Sequence, residues 1–108
     1  MLIYKILRPA EWAELQATAS SAGSPADRAD GYVHFSTAEQ LAGTLAHHFA
    51  GETGLLLLAV DADACGGDLR WEPSRAGARF PHLYRQLALA DIVWSRAVDD
   101  GPLPGPQS

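Results

Sequence analysis

Leu55-Leu56-Leu57-Leu58-Ala59-Val60 is an unbroken apolar run, with Gly54 before it and Asp61 after it. A strand with one face in water alternates apolar and polar residues, so a run without alternation needs cover on both faces. The run is also far too short to cross a membrane, which takes about 20 apolar residues. The chain must therefore build a sheet around this segment, with other structure packed above and below it. At 108 residues there is room for one such core and not for two.

The flanking sequence supplies the partners. Leu2 to Leu7 predicts a first strand, with Tyr4 and Ile6 on one face and Ile3, Lys5 and Leu7 on the other. Pro9 is harmless in the first turn of a helix, and Trp12 and Leu15 follow at helical spacing, which predicts a helix over about residues 9–19. Ser20 to Asp30, rich in Ser, Gly, Ala, Asp and Pro, reads as an exposed loop over a site. Tyr32 to Phe35 reads as a short strand, and Ser36-Thr37-Ala38-Glu39 as a capping box in which Ser36 and Glu39 start a helix. Ala38, Leu41, Ala42, Leu45, Ala46 and Phe49 give that helix an apolar face, and Gly51 closes it.

Beyond the central run, Asp61 to Asp68 reads as a turn and Leu69 to Glu72 as a strand stopped by Pro73. Ser74 to Arg79 reads as a polar loop, Leu83 to Leu89 as a short extended segment and Ile92 to Val98 as a last strand. The order β-α-β-α-β-β-β places the chain in the α+β class, with a bent or split sheet and two early helices packed against it. Residues 1–100 form a single domain, and the Pro/Gly-rich stretch over 101–108 is expected to fray.

Composition narrows the function classes. A net charge of −5 excludes a general basic surface for nucleic acid. A single cysteine, Cys65, excludes an internal disulfide and fits a reducing compartment. The first residues lack the long apolar stretch of a signal peptide, so a cytoplasmic location is expected.

The chemistry concentrates in two segments, Gly31-Tyr32-Val33-His34-Phe35-Ser36-Thr37 and Phe80-Pro81-His82-Leu83-Tyr84. On an alternating strand Tyr32, His34 and Ser36 share one face, opposite Val33 and Phe35. His82 and Tyr84 have the same relation, and Pro81 before them argues for an edge strand or a bend. If the two segments lie side by side, they line one polar cleft. Glu72, at a strand end, suits a general base or a ligand for ribose hydroxyls as well as it suits a solvated terminus. Arg75, Arg79 and Arg85 gather around the second segment against the acidic background, where they suit a phosphate or carboxylate, although surface arginines are more often simply solvated. His47 and His48 are adjacent on a helix, so their side chains diverge and cannot chelate one ion together. No spacing for a metal site, a phosphate loop or a nucleophile elbow is present, and no metal is expected.

Together, Ile3-Tyr4-Lys5-Ile6, Asp30-Gly31-Tyr32-Val33-His34-Phe35-Ser36-Thr37, Leu69-Arg70-Trp71-Glu72 and Phe80-Pro81-His82-Leu83-Tyr84 resemble the bacterial family called domain of unknown function 952. The resemblance runs from Leu2 to about Val98. That family is similar in fold to the ADP-ribosyltransferases and the RNA 2′-phosphotransferases. The resemblance implies a split sheet with an NAD- or ADP-ribose-type cleft between its halves. Lys5 stands where many members of the family carry histidine, which weakens the case for a nucleotide contact from the first strand.

On this reading the chain is a nucleotide-processing enzyme of the ADP-ribosyl or phosphate-transfer type, with NAD as its cofactor. His34, Glu72 and His82 are the candidate catalytic residues. Tyr32, Ser36, Thr37, Arg79 and Tyr84 are the candidate ligand contacts. The rival reading is a non-catalytic module that holds a small nucleotide-like or anionic ligand in the same His/Tyr-lined cleft. A small hydrolase or metalloprotein using the two histidines ranks third.

Overall fold

The computed structural model describes residues 1–74 and 77–105. Arg75, one of the three clustered arginines, lies outside the described residues, as does the end of the tail from Pro106.

The apolar run becomes β4 (Leu56–Asp61), the middle strand of an antiparallel sheet between β1 (Leu2–Leu7) and β8 (Ile92–Ala97). Its alternate side chains enter two separate cores, as a doubly covered strand requires. Leu58 and Val60 pack with Ile3, Leu7 and Leu15, whereas Leu57 and Ala59 pack with Tyr4, Ile6 and Leu41. Each fully buried leucine contributes about 1.5–3 kcal/mol of transfer free energy. The pairing of β4 with β8 shifts register between Ala59 and Val60, a bulge that leaves Val93 exposed and Trp94 turned onto Tyr4.

Among the described residues three α-helices pack around the sheets, not two. The helix α1 (Pro9–Thr18) follows the expectation from Pro9. The segment read as a loop contains β2 (Ser20–Ser21) and a six-residue helix, α2 (Pro25–Asp30). Its signals are all local. The Ser24 hydroxyl accepts from the Asp27 amide, Asp27 answers with a bond from the Ser24 amide, and Pro25 takes the first turn. Gly31 ends it in the left-handed region at φ +84°.

The helix after the first histidine segment starts one residue later than the sequence suggests. Thr37, not Ser36, is the cap, exchanging bonds with Gln40 and not with Glu39. A 3-10 turn over Ala38–Gln40 leads into α3 (Leu41–His48), which ends at Phe49 before Gly51 is reached. Ser36 is thereby released to bond Thr44 at 2.7 Å.

A second antiparallel sheet has the order β3 (Val33–His34), β6 (Arg79–Leu83), β5 (Leu69–Pro73), and β2 pairs separately with β7 (Leu87–Ala88). Thus β6 begins within the stretch read as a polar loop, and Pro81 lies in the central strand, not at an edge. The proline is tolerated because of its orientation. Its carbonyl accepts from the Phe35 amide, so its nitrogen also points to the β3 side, where pairing is ending, and β5 needs no donor from it. Past Phe35 the chain crosses to the first sheet, where Tyr4 and Ser36 exchange two 2.8 Å backbone bonds. That bridge joins the two main sheets. In the tail, Arg96 donates to the Pro102 carbonyl and Leu103 packs beside the second core. Among the described residues no helix is long and apolar enough to cross a membrane.

Candidate functional site

Period-two alternation sorts the second sheet into an apolar face and a polar one. Val33, Phe35, Leu69 and Leu83 turn into the first core. The register pairs His34 with His82, His82 with Arg70, and Phe80 with Glu72, so these side chains share the opposite face. The two histidine segments therefore lie side by side. Tyr32 stacks on His82 with ring centres 4.2 Å apart and planes 22° apart, and touches Tyr84 at 5.1 Å. The His34 and His82 rings meet edge to face at 5.2 Å.

Each imidazole is held by carboxylates. His82 Nδ1 lies 2.8 Å from Glu72 Oε1, which also accepts the Tyr84 hydroxyl at 2.6 Å. The Tyr84 and His82 hydrogen bonds hold the Glu72 carboxyl below its ordinary value, while the same bond to Glu72 pushes the Tyr84 phenol up. An ionised carboxylate only accepts, so the proton of this pair sits on His82 Nδ1. In the neutral ring, Nε2 is then a lone-pair acceptor. It is buried and has no hydrogen-bond partner among the described residues.

His34 is bound at both nitrogens, Nδ1 to Asp27 Oδ1 at 2.5 Å and Nε2 to Asp30 Oδ2 at 3.0 Å. Asp27 is the hub of the site, although it sat in the segment read as a loop. Its two oxygens accept from Lys5 Nζ at 2.7 Å, the Ser24 amide, the His34 amide and the His34 ring. Burial works to raise the Asp27 carboxyl. The His34 bond, the Lys5 charge and its bond, and the Ser24 amide outweigh it and hold the group well below the usual carboxylate range. Burial, with the charges of Asp30, Glu72 and Asp27, pushes the Tyr32 phenol up.

A cleft of about 620 Å³ opens between the two main sheets, walled by β1, β3 and β6 and closed by α2 and α3. His34, His82 and Ser36 border it, with Lys5, Asp27 and Asp30 beside them and Phe49 and Phe80 as apolar wall. His48 is exposed at the rim.

Other candidates stand elsewhere. Tyr32 and Tyr84 line a separate, smaller hollow of about 290 Å³ that neither His34 nor His82 borders. Glu72 supports His82 from outside the cleft, and Thr37 is spent on its cap. Arg79 is exposed and donates to the Trp71 carbonyl. Arg85 is held by Asp91 and Asp68, so it does not join Arg79 in an anion site. Lys5, Asp27 and Asp30 are the functional candidates that the sequence reading passed over. The Ser24-Pro25-Ala26-Asp27 pattern was the one signal that could have placed Asp27 on an ordered turn. Among the described residues no group of three His, Cys, Asp or Glu side chains comes together as metal ligands.

The model of the family described as protein of unknown function (DUF952) matches residues 6–95. The chain belongs to this family. The crystal structure of protein CC0527 from Caulobacter crescentus is similar to this DUF952 chain at 47% identity with a TM-score of 0.88, covering 99% of this chain and 94% of that one. The solution structure of CC0527 is similar at 49% identity with a TM-score of 0.81, over 91% and 84% of the two chains. No curated protein matches the chain.

Proposed function

We propose that this DUF952 chain binds a nucleotide-like ligand of the NAD or ADP-ribose class in the cleft between its two main sheets. The observation that carries this reading is the wiring of His82. Its Nδ1 is committed to Glu72 outside the cleft, its ring borders the cleft, and its Nε2 is buried without a partner among the described residues. A buried polar atom left unsatisfied costs about 1–3 kcal/mol, and a ribose hydroxyl donating to Nε2 would recover it. The cleft volume falls within the range of small-molecule sites, and a split pair of antiparallel sheets agrees with the ADP-ribosyltransferase-like expectation by analogy of fold.

As an enzyme the chain would break the bond between nicotinamide and ribose, the electron pair leaving with nicotinamide. The hydroxyl oxygen of water or of an acceptor would bond to the ribose carbon that nicotinamide leaves, and His82 Nε2 would take its proton in place of the ribose hydroxyl it holds in the binding reading. A second reading, a binding module without turnover, is favoured by one observation: Glu72, the carboxylate suited to orient ribose, is turned to His82 and Tyr84 and does not border the cleft.

Isothermal titration with NAD and with ADP-ribose in metal-free buffer tests the binding, and nicotinamide release followed by NMR tests turnover. Saturable binding abolished by His82→Phe, which keeps the stack on Tyr32 but removes the acceptor, supports the site. Binding without release supports the module. Absence of binding to either compound removes the ligand class.

A further inference from the structure

We infer that α2 is a lid: residues 23–31 detach and unwind together to admit ligand to the cleft, and the buried Lys5–Asp27 pair is the latch that holds them shut. The inference rests on the reading of the cleft as a ligand site and adds how that site is entered and kept closed.

His82 Nε2, the atom on which that reading seats a ribose hydroxyl, is buried, and the residue as a whole is 3% exposed. A ligand reaches it only when part of the cleft wall moves. The walls differ in what fixes them. The strand β1 sends Ile3, Tyr4, Ile6 and Leu7 into the two cores, β3 and β6 send Val33 and Leu83, and α3 sends Leu41. Moving any of these would expose apolar core to water. In α2 the buried residue is Asp27, while Pro25, Ala26, Arg28, Ala29 and Asp30 are exposed. Its departure uncovers no core side chain, so α2 is the wall with the least to hold it.

What fastens α2 is polar. Asp27 accepts from Lys5 Nζ on β1 at 2.7 Å and from the amide and ring of His34 on β3. Asp30 meets the other ring nitrogen of His34 at 3.0 Å, and Arg28 reaches Glu14 of α1 at 2.7 Å. Water can replace each of these partners. Lys5 borders the cleft, so its ammonium is hydrated once Asp27 has left, which offsets much of the lost attraction. Both ends of the segment are anchored, Ser20–Ser21 on β7 and Val33–His34 on β6. Between anchors and helix stand Gly23 at φ +92° and Gly31 at φ +84°, two positions free to turn as hinges. A six-residue helix does not persist alone in water, so lifting also unwinds it. Opening takes Asp30 off His34 and loosens Tyr32, the residue after Gly31, from its stack on His82.

Two measurements on the full chain test the lid without any ligand. The first is native-state hydrogen exchange by NMR. The amides of Arg28, Gly31 and His34 donate to Ser24 O, Asp27 O and Asp27 Oδ1. They are expected to open together, with protection about tenfold or more below that of the Leu57 and Leu58 amides in β4. The second is modification of His82 by diethyl pyrocarbonate, mapped by mass spectrometry, which reads access to Nε2. Glu14→Cys and Arg28→Cys joined by a short bismaleimide tie the lid to α1, itself fixed by buried Leu15. This clamp is expected to slow His82 modification by about tenfold or more against the same variant capped with N-ethylmaleimide, while exposed His47 changes by less than about twofold. Equal His82 rates with and without the clamp overturn the lid, as does protection of the three amides equal to that of β4. Should the clamped chain lose its cooperative thermal melt, exchange in the wild type decides. Titration with NAD and ADP-ribose keeps the two readings apart. If neither binds but the clamp slows His82, the lid stands and the ligand class falls; if either binds but the clamp changes nothing, the reverse holds.

Discussion

Replacing Asp27 by asparagine removes one negative charge from the centre of the site and changes almost nothing in shape. Asp27 is 1% exposed, and its Lys5 partner is nearly as buried. At 2.7 Å, in an effective dielectric of about 20, a unit pair attracts by about 6 kcal/mol before desolvation is counted. The hydrogen bonds sharpen the case. Oδ2 serves Lys5 and the Ser24 amide, and Oδ1 serves the His34 amide and ring. Whichever oxygen becomes NH2, two N–H donors lose their acceptor.

Breaking a buried pair in this way costs about 3–5 kcal/mol, because Lys5 stays charged and unpaired. Total stability for a chain of this length is about 5–15 kcal/mol, so the loss is a large share of it. Urea unfolding at pH 7, read by tryptophan fluorescence, measures the change. Lys5→Met and the double variant complete the cycle, with a coupling of at least about 1 kcal/mol expected. The pH dependence gives an independent check. As pH falls below about 4, the unfolded chain takes up a proton that native Asp27 refuses, so wild-type stability declines through that range. Asp27→Asn should be flatter there. A loss under about 1 kcal/mol together with no coupling to Lys5 would refute the assignment of Asp27 as the hub.

Three further outcomes follow from the geometry. Gly23→Ala should lower the thermal midpoint, since Gly23 sits at φ +92° and a Cβ there would come 2.0 Å from Asp27 Oδ2; a loss beyond about 1 kcal/mol is expected. Tyr84→Phe removes a donor to Glu72, so the Glu72 carboxyl should titrate at higher pH than in the wild type, as followed by carbon NMR. Leu58→Ala, in the doubly covered strand, should cost about 2–5 kcal/mol in urea unfolding, and a cost near zero would contradict burial on both faces.

Those elements whose signals are local were legible in advance. The run Leu55–Val60, the alternating Leu2–Leu7 and the helical recurrence from Ala38 to Phe49 each carry their period in consecutive residues; the first two became β4 and β1, and the third became α3 with its first residues, Ala38–Gln40, tightened into a 3-10 turn. Errors fell where two local signals competed. Ser36 and Thr37 both offer a capping oxygen, and the choice went to Thr37 because Ser36 is drawn into the bridge with Tyr4. In residues 20–30, Pro and Gly read as breakers, yet Pro25 at a first turn and Gly31 at a C-cap are also what a short helix uses.

The sequence by itself determined that His34 shares a face with Tyr32, and His82 with Tyr84, because the strand period is two whatever the strand pairs with. Only the tertiary structure decided that His34 pairs across to His82, that Pro81 can sit in a central strand, and that Lys5 meets Asp27 from twenty-two residues away. Register, edge position and the partner of a buried charge are properties of pairs of segments, selected by the packing of both cores at once. No window of consecutive residues contains them.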